Sequence, residues 1–181
     1  MDALECLTNR RSIRKFTNQP LTKATVNEIV RIASFAPSWK NTQTVRYYLV
    51  LDTAKKFQIA KNCVLGFTLN QHTIENAPAL IILATIKGRS GYEKDGSFST
   101  EQGTHWQSFD AGIAAQTFCL ASHALGLGTV IMGVFDEKKV ADVISLSPEE
   151  QVSALIAIGW PEGKQIVPKR KSVAELLTIV E

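Results

Sequence analysis

The chain is short of the residues that build covalent or metal frameworks. Its 181 residues include only three cysteines, Cys6, Cys63 and Cys119, and only three histidines, His72, His105 and His123. The cysteines are far apart, odd in number and set in apolar helical patterns, which argues against a disulfide scaffold and for reduced thiols in or near a core. The histidines share no ligand spacing with each other or with a cysteine, so no metal site is expected. No apolar run reaches the roughly 18 residues that a membrane span requires, and no signal peptide is read, so the expected location is cytoplasmic. Repeats, low-complexity tracts and Pro- or Gly-rich linkers are also missing, and residues 1–181 are expected to form a single domain. A net charge of +3 is too small for a nucleic-acid coat.

What the chain does have is positive charge in two places. Arg10-Arg11-Ser12-Ile13-Arg14-Lys15 holds four basic residues, and residues 164–171, ending Pro168-Lys169-Arg170-Lys171, hold four more. Eight of the 20 Lys and Arg therefore occupy two short segments, leaving 12 basic against 17 acidic residues elsewhere, a net of −5. Two basic runs on an acidic body point to one anion gripped between them. Guanidinium forks beside the Ser12 hydroxyl suit a phosphate, since both donate to its oxygens.

Periodicity predicts α+β. A helix capped by Thr22 or Thr25 runs to about Phe35, and a strand covers residues 46–51. A helix covers residues 54–65, and a near-continuous apolar strand, residues 79–84, must be buried on both faces. Residues 88–104 show no apolar period and read as a lid or a disordered stretch. The next helix, Phe109 to Leu125, is apolar nearly all round and dense in Ala and Gly, so a homodimer interface along it is the natural expectation. A short strand at residues 130–132, a helix capped by Asp136 and a strand at residues 152–159 follow. Gly126-Leu127-Gly128 ends a helix and enters a strand, the wrong order for a dinucleotide fingerprint, so a Rossmann fold is not expected.

Five motifs in register resemble those of the nitroreductase family of FMN-dependent oxidoreductases. They are Arg10 to Phe16; Ala36-Pro37-Ser38-Trp39-Lys40-Asn41-Thr42-Gln43; Asp110-Ala111-Gly112 through Gln116 to Gly128; Val130-Ile131-Met132-Gly133 with Phe135-Asp136; and Ala157 to Pro161 with Lys169-Arg170-Lys171. The resemblance implies an intertwined homodimer with a mixed, mostly antiparallel sheet flanked by helices. It implies two FMN sites at the subunit boundary. Arg10, Arg11, Ser12, Lys169, Arg170 and Lys171 would hold the phosphate and ribityl chain. Arg14 would sit by the pyrimidine edge, where negative charge gathers in the reduced flavin. Pro37, Ser38 and Asn41 would reach the ring from the partner subunit, and the backbone of Val130, Ile131, Met132 and Gly133 would lie near N5. Asn70 and Gln71 match a polar position that borders the flavin in some members.

The activity implied is hydride transfer from NADH or NADPH to FMN, followed by delivery of two electrons to a nitroaromatic, quinone or similar acceptor in a ping-pong cycle. No side chain is expected to act as nucleophile or general base. The alternative is an FMN store or sensor without turnover, and a nucleic-acid-binding domain is disfavoured by the acidic remainder. Two departures from the family pattern stand out: Gln43-Thr44-Val45 replaces Q-P-W, and Trp39 occupies a position where a small residue is common. Trp39 is either interface packing or a substrate wall.

Overall fold

The computed structural model describes residues 2–163, 165 and 167–181; Lys164, part of the second basic run, lies outside them. In chain order the elements are α1 (Ala3–Asn9), α2 (Lys23–Ala33), β1 (Val45–Val50), α3 (Thr53–Asn62), α4 (Thr68–Asn76), β2 (Ala79–Ile86), α5 (His105–Ala124), β3 (Gly128–Met132), α6 (Glu137–Ile144), β4 (Glu150–Gly159) and α7 (Val173–Leu176). A 3-10 turn at Trp39–Asn41 lies between α2 and β1. Helix starts follow local chemistry. Thr22, Asp52 and Asp136 each accept the backbone N–H three residues on, satisfying a donor that the first turn leaves orphaned.

The four strands form one sheet of order β1-β2-β4-β3, with every neighbouring pair antiparallel. The parallel component among the described residues is an isolated bridge, Ser12 to Thr129. The apolar run of β2 is buried on both faces, and its alternation builds two cores. Leu80 and Ile82 pack with Ile59, Ile74 and Val140 under α3, α4 and α6. Ala79, Ile81 and Leu83 pack with Val26, Ile29 and Phe118 under α2 and α5. Each large aliphatic side chain removed from water here contributes roughly 1.5–3 kcal/mol, which is why the central strand needs no polar residue before Thr85.

Three features depart from the sequence-based expectation. Helix α5 begins at His105, four residues before Phe109, because Gln107 is turned inward and its Oε1 accepts the Gly88 N–H at 2.8 Å. It also keeps an open stripe: Ser108, Phe109, Gly112 and Gln116 are exposed within the protomer. Helix α4 had no periodic signature, since two of its three buried positions, Asn70 and Thr73, are polar.

Residues 88–104 form no helix or named strand, yet they are internally bonded. Ser99 N–H donates to Gly91 O at 2.8 Å, Glu93 N–H donates to Ser97 O at 2.8 Å, and Trp106 Nε1 donates to Thr100 Oγ1 at 2.8 Å.

The segment that positions the site is residues 10–16, which runs beside β3. Ile13 N–H donates to Thr129 O at 2.9 Å, and the buried Ile13 side chain packs directly on Gly128. A Cβ at Gly128 would lie 2.6 Å from Ile13 Cγ1, so only glycine permits this approach. Further along, Thr17 N–H donates to Trp160 O at 2.9 Å and Glu162 N–H donates to Lys15 O at 3.0 Å. These two bonds tie the first basic run to the chain leaving β4. The opposite ends of the sequence are thereby brought together.

Candidate functional site

Where the two ends meet there is a cavity of about 540 Å³, lined by Arg10, Arg11, Ser12, Arg14, Lys15, Glu162, Gly163, Gln165, Pro168 and Arg170. Its volume is within the roughly 300–1,000 Å³ common for small-molecule sites. The Nε atoms of Arg10 and Arg11 are buried and, among the described residues, without a hydrogen-bond partner. Arg11 spends one terminal nitrogen on the carbonyls of Thr8 and Arg10, at 2.6 and 2.8 Å. A buried donor left unmade is costly, and an anion seated here would satisfy it. The cationic field also reaches inward. Burial, then Arg10 and Arg11, hold His123 below its ordinary value of 6.5, with Glu5 opposing them. His123 Nε2 is likewise buried and has no partner among the described residues. Burial pushes the Cys119 thiol up, against a hydrogen bond with Thr129 and the charge of Arg10.

The other expected site residues fall in separate places within the protomer. Pro37 and Ser38 line a second cavity, about 300 Å³, with Gln43, Thr44, Tyr47, Asp110 and Ala114. Asn41 is in the turn beside it. Val130 and Met132 turn their side chains into the core under α3, α4 and α6, so only their backbone is available. Ile131, on the opposite face of β3, opens on a groove with Ala111, Gly112 and Ser153. Gly133 is exposed just beyond the strand. Asn70 is buried and its Nδ2 lies 3.5 Å from Val134 O, which brings α4 to the turn that carries Met132 and Gly133. Gln71 is half-buried next to it. Lys169 and Lys171 are exposed and do not line the basic cavity, whereas Arg170 does.

An aromatic and polar cluster holds the Trp39 turn. The Trp39 and Trp106 rings are 4.6 Å apart between centroids, and Trp106 meets Phe109 edge-on at 5.5 Å. Lys40 Nζ pairs with Glu93 Oε1 at 2.9 Å. Asp110 accepts the Trp39 N–H and the Ser90 hydroxyl. Neither Asp110 nor Ser90 carried an individual role in the sequence reading. The contacts that reveal them join residues 71 and 20 positions apart, and no local pattern encodes such a pairing.

The family model described as "Nitroreductase family" matches residues 7–160. A relative named NADH dehydrogenase from Thermus thermophilus is 27% identical, covering 89% of this chain and 87% of its own. An FMN reductase [NAD(P)H] from Bacillus subtilis is 31% identical over 73% of this chain and 54% of its own. Among solved structures, a nitroreductase family protein from Streptococcus pneumoniae superposes with a TM-score of 0.85 at 23% identity, covering 98% of this chain and 99% of the other.

Proposed function

The chain belongs to the nitroreductase family, and from that premise we propose that it is an FMN-dependent NAD(P)H oxidoreductase working as a homodimer. The observation that carries this reading is the convergence of Arg10, Arg11, Ser12, Arg14 and Arg170 on one cavity, where the Nε atoms of Arg10 and Arg11 have no hydrogen-bond partner among the described residues. These residues fit a phosphate-bearing cofactor. They would hold the phosphate and ribityl chain, with Lys169 and Lys171 adding charge from the tail. When bound, FMN supplies the redox chemistry: it takes a hydride from NADH or NADPH and gives two electrons to a nitroaromatic, quinone or similar acceptor.

The protein's part is to bind, orient and tune. Arg14 is assigned to the pyrimidine edge, where its positive charge favours added electron density. Asn41, Pro37 and Ser38 are assigned to the ring from a second copy, and the backbone of Val130 to Gly133 to the N5 side, with Asn70 and Gln71 bordering it. The family's relatives support the donor and cofactor classes, since one carries FMN and NAD(P)H in its name.

Two features support the homodimer. Phe109, Gly112 and Gln116 leave α5 open along one stripe. The tail from Val167 onward is exposed throughout, including Val173, Leu176, Leu177, Ile179 and Val180. An apolar tail left in water is a surface awaiting a partner. A second copy of the chain fits because the small residues of α5 allow close approach. Among the described residues no helix is long and apolar enough to cross a membrane.

The test is direct. The purified protein should be yellow, should bleach on addition of NADH or NADPH under nitrogen, and should regain colour with a quinone or nitroaromatic. Colour that NAD(P)H cannot bleach would favour a flavin store over an enzyme, and a colourless protein that takes up no FMN would overturn the reading.

A further inference from the structure

We propose that Asp110 is a positioning residue that sets the Ser38–Gln43 turn, and with it Asn41, against the flavin; this rests on the FMN reading above. Asp110 projects from α5, is 2% exposed, and takes part in no ion pair among the described residues. Both its carboxylate oxygens are 3.0 Å from the Trp39 nitrogen. Oδ2 also accepts the Ser90 hydroxyl at 2.5 Å. Ser90 is itself fully buried, and its Oγ lies 3.2 Å from Thr42 Oγ1 and 3.4 Å from Thr44 Oγ1. One carboxylate thus knots the central helix, the 88–104 loop and both ends of the turn. Burying a carboxyl group is unfavourable unless hydrogen bonds compensate, so its presence here calls for a return other than stability.

The turn explains what that return is. Lys40, Asn41 and Gln43 all adopt the left-handed region, with φ of 44°, 54° and 49°. Three non-glycine residues in this conformation within four positions are strained, and such strain persists only where the surroundings over-determine it. The turn's own bonds are local: Asn41 N–H to Ser38 O at 3.0 Å, Thr42 N–H to Trp39 O at 2.8 Å and Gln43 N–H to Ser38 Oγ at 3.0 Å. They shape the turn but do not place it. The anchor to the rest of the molecule is Asp110, helped by the tilted Trp39–Trp106 ring contact and by the exposed Lys40–Glu93 pair. Strain fixed in this way holds the Asn41 side chain to one orientation relative to α5.

The test compares Asp110→Ala, Asp110→Asn, Asn41→Ala and the Asp110→Ala/Asn41→Ala double variant with the wild type. FMN affinity, the visible spectrum of bound flavin and its reduction potential are measured for each. Asp110→Ala should weaken FMN by about tenfold, the scale of one well-placed hydrogen bond lost. It should also move the spectrum and the potential in the same direction as Asn41→Ala. The double variant should add little to either single one, because both act through the same contact. Asp110→Asn keeps an acceptor for Trp39 and should recover most of the effect.

An Asp110→Ala protein with wild-type spectrum and potential, altered only in melting temperature, would overturn the inference, as would full additivity. Should Asp110→Ala not fold, Ser90→Ala carries the test: a smaller shift in the same direction supports the inference, and an unchanged flavin overturns it. A wild-type protein that binds no FMN refutes the cofactor reading itself, an outcome distinct from a failure confined to these variants.

Discussion

Arg10 has three effects at once: it lines the basic cavity, lowers the pKa of His123 and opposes the rise of Cys119. Its side chain takes no part in the apolar cores, so Arg10→Glu should strip FMN from the protein while leaving the fold largely intact. The ratio of flavin to protein absorbance after gel filtration, with circular dichroism alongside, checks this; flavin retained at full stoichiometry would count against the assignment. His123 gives a pH prediction. Its folded pKa is lowered from 6.5, chiefly by burial and then by Arg10 and Arg11. Between that lowered value and 6.5 the unfolded chain binds the proton and the native one does not. The contribution to stability is therefore complete above pH 6.5 and declines as pH falls through the window. Melting temperature followed from pH 7.5 down to about 5.5 should fall less in His123→Gln than in the wild type.

At the level of elements, the site depends on residues 10–16 lying against β3, and that docking depends on Gly128. Gly128→Ala must displace Ile13, since the new Cβ would come within 2.6 Å of its Cγ1. Overpacking of this kind costs about 1–3 kcal/mol, and here it should also loosen the Arg10–Arg14 arm, so flavin retention falls with stability. Urea unfolding and FMN titration of Gly128→Ala against the wild type check both effects. Elements were legible in the sequence where burial and hydrophobic period coincide, as in β2 and in α2 with Val26, Ile29 and Ala33 inward. They were illegible where the buried face is polar. Asn70 and Thr73 concealed α4, and Gln107 concealed the first turn of α5.

For the whole molecule, the prediction concerns assembly. Gly112 lies on the open stripe of α5, and a Cβ there meets nothing within 4 Å of the protomer. Gly112→Arg should leave the protomer's own packing untouched but block close approach of a second copy. Light scattering after size-exclusion chromatography should then report a monomer, and FMN should be lost with the dimer because Pro37, Ser38 and Asn41 are assigned to the neighbour's flavin. A Gly112→Arg protein that stays dimeric would move the interface away from α5.

Composition and motif order alone determined the fold class, the family resemblance and the suspicion that two distant basic runs serve one anion, because charge clustering and register are properties of the chain itself. Only the tertiary structure decided how they meet: the Phe16–Pro161 bridge and the Glu162 to Lys15 bond fold the ends together, Arg170 reaches the cavity, and Lys169 and Lys171 stay outside its lining. It alone also decided that Asp110 holds a strained turn. Hydrogen bonds between residues dozens of positions apart leave no trace in local pattern, since a buried carboxylate and a solvated one are spelled with the same letter.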